Sequence, residues 1–384
     1  MAELEQRVRR WLREIETAGL RRMLRPPEGI DLSSNDYLGL ATHPLITERM
    51  TEALRTSGCG STGSRLLRGH REAFARVERR FAGFKQTESA LYFSTGYAAN
   101  LGVLSAFLEP DDVVFSDERN HASLIDGIRL GRARKVIFPH LDLGELRRRI
   151  EAESGARQRF LVTESLFSMD GDQAPLDEYA AICRETGTAL IVDEAHAVGI
   201  YGETGSGLIE AAGVGNSVFL SVNTAGKALG VAGAFVAGPG WAIEYLVHRA
   251  RSFVFSTAPP PSLAEAIDAA LTLIGDEPQR RRRLLSLARL VRQELGLAGI
   301  AVPGGDSPII PVILGDSKRA LEVARALGSA GFDVRAIRPP TVPEGTARLR
   351  ISMNTHFEED LLPRFTSALA SAISETAPCS AASL

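Results

Sequence analysis

The run Ala189-Leu190-Ile191-Val192-Asp193-Glu194-Ala195-His196 decides the fold. Its first four residues are apolar without alternation, the pattern of a strand covered on both faces. Runs of the same kind predict strands over 90–93, 113–116, 135–138, 160–163, 189–192, 218–222 and 233–237. Helical patterns fall between them, so an α/β fold with a mostly parallel sheet between helices is predicted. In such sheets ligands gather beyond the carboxyl ends of the strands, and Asp193 falls at one such end.

The next run, Val218-Phe219-Leu220-Ser221-Val222, leads into Asn223-Thr224-Ala225-Gly226-Lys227-Ala228-Leu229-Gly230. Small residues flank a single amine and leave room for a planar ligand. A strand-end carboxylate followed by a loop lysine meets the needs of pyridoxal 5′-phosphate (PLP). The lysine forms a Schiff base with the aldehyde, and the acid keeps the pyridine nitrogen protonated. At ~4 Å and an effective dielectric near ~20, such an ion pair is worth roughly 4 kcal/mol, about three pKa units. That is enough to hold the ring protonated at neutral pH. Asp193 could also simply cap the following turn, and Lys227 could simply be solvated; it is the pairing that points to chemistry.

Other candidates stand at the same expected edge. His196 could donate to the phenolate of the ring or be an ordinary hydrogen-bonded surface group. His121, in Glu118-Arg119-Asn120-His121-Ala122-Ser123, could stack on the ring. Phe93-Ser94-Thr95-Gly96-Tyr97 passes from strand to helix through a glycine, and a helix N-terminus offers free N–H groups to an anion. Gly96, Tyr97 and Thr224 are therefore phosphate candidates. Gly202-Glu203-Thr204-Gly205-Ser206-Gly207 has the wrong spacing for a dinucleotide loop, and Gly58-Cys59-Gly60-Ser61-Thr62-Gly63-Ser64-Arg65 lacks the ending of a P-loop. Both are expected to be turns near the site. Arg338-Pro339-Pro340-Thr341 and Arg348-Leu349-Arg350 read either as a stiff surface loop beside a strand or as a clamp for a substrate carboxylate.

The chain has 384 residues, 44% hydrophobic and 24% charged, with a net charge of −3. These values suit a globular protein of about two or three structural units and imply no general attraction to nucleic acid. The cluster Arg280-Arg281-Arg282-Arg283 is expected on solvated helical faces. Cys59, Cys183 and Cys379 show no metal-ligand or disulfide spacing, so no metal is predicted and a reducing cytoplasm fits. No apolar run reaches membrane-spanning length. Glu3, Glu5, Glu14 and Glu16 argue against a transit peptide. An amphipathic helix is expected over 3–24, with Leu4, Val8, Trp11, Leu12 and Ile15 on one stripe, ended by Pro26-Pro27. That stripe needs the protein body or a partner subunit to cover it. The expected organisation is an N-terminal helix and arm (1–39), a large α/β domain (40–270) and a smaller α+β domain (271–384). Strands are expected in the last over 309–314, 333–337 and 348–352, with helices near 278–297, 317–330 and 358–375. The tail from Cys379 to Leu384 is expected to fray.

Six motifs together resemble the α-oxoamine synthases, PLP-dependent transferases of fold type I. They are Ser34-Asn35-Asp36-Tyr37-Leu38-Gly39-Leu40, Gly60-Ser61-Thr62-Gly63-Ser64-Arg65, Asn120-His121-Ala122-Ser123, Phe167-Ser168-Met169-Asp170-Gly171-Asp172, Asp193-Glu194-Ala195-His196 and Thr224-Ala225-Gly226-Lys227-Ala228-Leu229-Gly230. The resemblance spans nearly the whole chain. It implies Lys227 as the Schiff-base residue, Asp193 as the ring-nitrogen partner and His121 as the stacking group. It implies that His196 and Ser168 hydrogen-bond the cofactor, and that Gly96, Tyr97 and Thr224 hold it near its phosphate. Arg21, Asn35, His121, Thr341 and Arg350 match substrate-contact positions. A homodimer with sites at the subunit interface is implied too, with Ser256-Thr257 reaching the neighbouring phosphate. The implied reaction is acyl transfer to a small amino acid from a thioester of CoA or of an acyl carrier protein.

Overall fold

The computed structural model describes residues 1–376, so Cys379 and the predicted frayed tail lie outside the described residues. The chain divides into two compact units, one of residues 35–168 and 172–282, the other of 1–34, 169–171 and 283–384.

In the larger unit seven strands form one sheet: β1 (Ser89–Phe93), β2 (Val113–Asp117), β3 (Arg134–Phe138), β4 (Arg159–Glu164), β5 (Ala189–Asp193), β6 (Val218–Thr224) and β7 (Ala234–Gly238). Each lies where a continuous apolar run predicts it. The strand order is β1-β7-β6-β5-β4-β2-β3. β7 pairs antiparallel with both its neighbours, and all other pairings are parallel. Leu161, Val162, Leu190, Val192 and Leu220 are fully buried, as double coverage requires. Each such side chain stabilises by about 1.5–3 kcal/mol. The helices around this sheet include α1 (Glu72–Lys85), α2 (Gly96–Phe107) and α3 (Ala122–Leu130). Val103 and Leu104 of α2 pack with Leu220, Val222 and Val236 in one core.

Register sets the site. Glu164 pairs with Asp193 and Asp193 with Val222, so the carboxyl ends of β4, β5 and β6 lie side by side. The loops carrying His196 and Lys227 leave from those ends, and α2 starts just beyond β1.

One charge reading is overturned in this unit. Arg281 does not face solvent: it is 6% exposed and donates to the carbonyls of Ile274 and Glu203. Burial lowers its pKa, with the Glu210 charge opposing. Two backbone acceptors at that position, invisible in the run of arginines, decide its place.

In the smaller unit β8 (Ile309–Gly315), β9 (Arg335–Ile337) and β10 (Ala347–Ser352) form an antiparallel sheet in the order β9-β10-β8. Helices Ser317–Ser329 and Leu362–Glu375 belong to the same unit. The N-terminal helix runs only over Ala2–Thr17, shorter than its apolar stripe predicts. Gly19 ends it ahead of the prolines. Its φ of +66° breaks the helix, and its N–H bonds to the Glu16 carbonyl. Leu4, Val8, Trp11 and Leu12 are exposed.

Candidate active site

Lys227 is held by a stapled loop. Ala225 N–H donates to the Gly233 carbonyl at 2.8 Å, Gly230 N–H to the Lys227 carbonyl at 2.8 Å, and Val231 N–H to the Ala225 carbonyl at 2.9 Å. Gly230 has φ +68°, and a Cβ there would stand 2.5 Å from the Ala41 nitrogen. Only glycine lets the loop lie this close to the segment after Leu40. Lys227 Nζ then sits 2.7 Å from His196 Nε2.

Asp193 is anchored from both oxygens. Oδ1 accepts from the Ala195 N–H at 2.8 Å and Oδ2 from Asn100 Nδ2 at 2.7 Å. Each oxygen keeps a further lone pair. Asn100 also donates to Ser123 Oγ at 2.9 Å, and that hydroxyl lies 2.8 Å from His121 Nδ1. One amide from α2 thus fixes the acid and, through Ser123, the imidazole. Burial lowers the His121 pKa; Asp193 opposes this and the Lys227 charge adds to it. The ring is therefore neutral at neutral pH.

Glu164, missed in the sequence, lies beside Asp193. Burial first, then the Asp193 charge, pushes its pKa up to about 8, against Lys227. Its Oε1 has no hydrogen-bond partner within the structure, while the backbone N–H groups of His121 and Ser168 donate to its carboxyl group. The signal was present: Thr163-Glu164 ends an apolar run as Asp193 does. Asn100 carries no such signal, because an asparagine inside a helical pattern reads as neutral.

The remaining cofactor candidates divide. A Cβ on Gly96 would stand 3.8 Å from Thr224 Cβ, so the start of α2 and the end of β6 adjoin. Tyr97 meets the His121 ring edge-on at 6.5 Å between centroids. Ser168 is buried at the turn closed by Phe167 N–H on the Asp172 carbonyl. Ser256 and Thr257 lie apart from these contacts, with Thr257 bridged to Ser64. Asn35 accepts from Tyr37. Arg21, Thr341 and Arg350 belong to the smaller unit. There Arg21 pairs with Glu16 at 2.7 Å, while Arg22 donates to Thr341 at 3.2 Å and Arg350 to Ser352 at 2.6 Å.

These groups fit PLP. An amine, an anchored carboxylate, a neutral imidazole and an orphaned buried acid oxygen surround small residues beside a helix N-terminus with free N–H groups. Lys227 would hold the aldehyde carbon and Asp193 the ring nitrogen. Among the described residues no cluster has the makings of a metal site, and no helix is long and apolar enough to cross a membrane.

A pH-sensitive brace supports the edge. His140 bonds Asp117, at the end of β2, at 2.9 Å and Asp172 at 2.6 Å. Burial opposes its charge, but the two carboxylates raise its pKa from 6.5 to about 9. A pKa higher in the folded state than in the unfolded chain gives stability that is complete below pH 6.5 and lost as the pH rises through about 9. His140→Gln should therefore lower the melting temperature markedly near pH ~6 and little near pH ~10. An equal drop at both would refute the linkage.

Comparison with known proteins agrees with this geometry. The model of the aminotransferase class I and II family matches residues 27–369. The 8-amino-7-oxononanoate synthase of Anaeromyxobacter dehalogenans is 44% identical, covering 96% of this chain and 95% of the relative. That of Geobacter sulfurreducens is 45% identical, covering 93% and 92%. Serine palmitoyltransferase from S. paucimobilis superposes with a TM-score of 0.90 at 29% identity, over 96% of this chain and 97% of the other. The 8-amino-7-oxononanoate synthase of Francisella tularensis gives 0.79 at 27%, over 90% and 98%. The chain belongs to the 8-amino-7-oxononanoate synthase family of α-oxoamine synthases, PLP-dependent fold type I transferases within the class I and II aminotransferases.

Proposed function

We propose that the protein condenses L-alanine with pimeloyl-CoA, or with pimeloyl carrier protein, to give 8-amino-7-oxononanoate, CO₂ and the free thiol. This is an acyl transfer of biotin biosynthesis. The observation that carries the reading is Lys227 Nζ at 2.7 Å from His196 Nε2, beside the paired strand ends Glu164 and Asp193. Bound PLP supplies an electron sink for the α-carbon of alanine. Asp193 keeps a proton on the ring nitrogen, and His121 covers the ring face. Gly96, Tyr97 and Thr224 bind the phosphate. Lys227 takes the α-proton of alanine as a general base. A carbon–carbon bond then forms at the thioester carbonyl as the carbon–sulfur bond breaks. The carboxylate leaves as CO₂, and a proton returns to the α-carbon.

The protein would act as a cytoplasmic homodimer in which Ser256 and Thr257 of one copy complete the phosphate site of the other. The close superposition on serine palmitoyltransferase supports a second reading, condensation of serine or glycine with another acyl thioester. Mass analysis of products from alanine, glycine and serine, each with pimeloyl, acetyl and palmitoyl thioesters, separates the two. Alanine with pimeloyl-CoA should give the dominant product; dominance of any other pair would overturn the proposal.

A further inference from the structure

Glu164 closes β4, and no step of the proposed reaction uses it. Its register partner is Asp193, and partners in a parallel pair project from the same face of a sheet. Two buried carboxyl groups therefore stand side by side. Two negative charges in that position are costly, so one of the groups keeps a hydrogen. Asp193 has donors on both oxygens, the Ala195 N–H and the Asn100 amide. Glu164 receives the His121 and Ser168 N–H groups, yet its Oε1 has no partner. The negative charge therefore rests with Asp193, the better provided of the two. Burial and the Asp193 charge favour the protonated form of Glu164, against Lys227. With the N–H groups on its other oxygen, the hydrogen belongs on Oε1.

A buried O–H without an acceptor calls for a ligand. Strand order tells which part of it. PLP carries its aldehyde opposite the ring nitrogen, with the phosphate arm on one side of the aldehyde and the phenolate oxygen on the other. Asp193 ends β5, which lies between β6 and β4. The phosphate candidates stand on the β6 side, where Thr224 adjoins Gly96 at the start of α2. A ring held by Asp193 with its phosphate on that side turns its phenolate edge toward β4, where Glu164 ends. We propose that Glu164 is a cofactor-binding residue that donates its Oε1 hydrogen to the phenolate oxygen of PLP. The roles of His196 and Ser168 toward the cofactor are kept, since a phenolate accepts more than one hydrogen bond. The inference rests on PLP occupying this pocket as in the proposed function.

The test reads the pH titration of the visible absorbance of PLP-loaded protein. A donor on the phenolate makes that oxygen less basic and weakens its hold on the proton it shares with the Lys227 nitrogen. Glu164→Leu, which removes the donor, should raise the midpoint by about one pH unit, a tenfold gain in proton affinity. Glu164→Gln, whose amide N–H replaces the O–H, should stay close to wild type. An ionised Glu164 would instead hold that proton in place by its charge, and either variant would lower the midpoint. Infrared difference spectra of loaded against cofactor-free wild type should show a carboxylic acid carbonyl band that shifts on loading and is missing in Glu164→Gln. That measurement decides the matter even where Glu164→Leu fails to fold. A midpoint that falls or stays fixed in Glu164→Leu, or a loaded wild type whose acid band is absent or unshifted, would overturn the inference. Wild-type protein that takes up no PLP at all would overturn the proposed function, and this inference with it.

Discussion

Lys227→Ala should bind PLP without covalent attachment, lack the visible absorbance of the loaded wild type, resist reductive trapping by borohydride, and make no product. The effect is expected to be this complete because the structure offers no substitute in the same place. His196 is oriented by Tyr37, and burial holds His121 neutral. Both are far weaker bases than a free amine. The loop itself should survive the change, since its staples are backbone bonds between residues 225 and 233 and do not involve the side chain. Circular dichroism should therefore match wild type. Any turnover in this variant above about a thousandth of the wild-type rate would remove Lys227 from the chemistry.

The largest stability effect is expected at Lys85. Its ammonium, 3% exposed, pairs at 2.5 Å with Glu194, 0% exposed, and also meets the Ser206 carbonyl. Glu194 accepts from the Ile209 N–H at 3.0 Å, and a Cβ on Gly207 would stand 2.4 Å from its carboxylate. Lys85→Met would leave that carboxylate buried without its counter-charge, a change costing about 3–5 kcal/mol. Thermal or urea unfolding of the apoprotein should show the loss. Lys85→Met with Glu194→Gln should recover part of it, because no uncompensated charge then remains. If the double variant proves as unstable as the sum of the singles, packing accounts for the loss and the ion pair does not. Glu194 lies between Asp193 and His196 in the chain, so the single variant should also lose cofactor affinity.

The strands were legible because double coverage writes itself into sequence as unbroken apolar runs. All seven strands of the large sheet were found this way, and the placement of Asp193 and Lys227 followed from where those runs end. Three features went unread. Glu164 ends an apolar run as Asp193 does, but its importance comes from pairing with Asp193 across strands, a register no linear pattern displays. Asn100 acts through its neighbours in space, Asp193 and Ser123. Tyr37 stood inside a turn-rich motif as one residue among seven, yet its hydroxyl meets an imidazole from a segment far along the chain. Two misreadings share a cause: the N-terminal helix was read from its apolar stripe and Arg281 from a run of arginines, whereas a left-handed glycine and two carbonyl acceptors decided them.

The missing Cβ of Gly230 also bears on engineering. Two stretches almost two hundred positions apart touch through bare backbone there, so neither has a private shape. A designer who transplants the amine-bearing hairpin from a sister enzyme to change its amino-acid preference will import a mismatched half unless residues 35–41 travel with it. Specificity in this scaffold is inherited as a matched set, and chimeras should be cut accordingly.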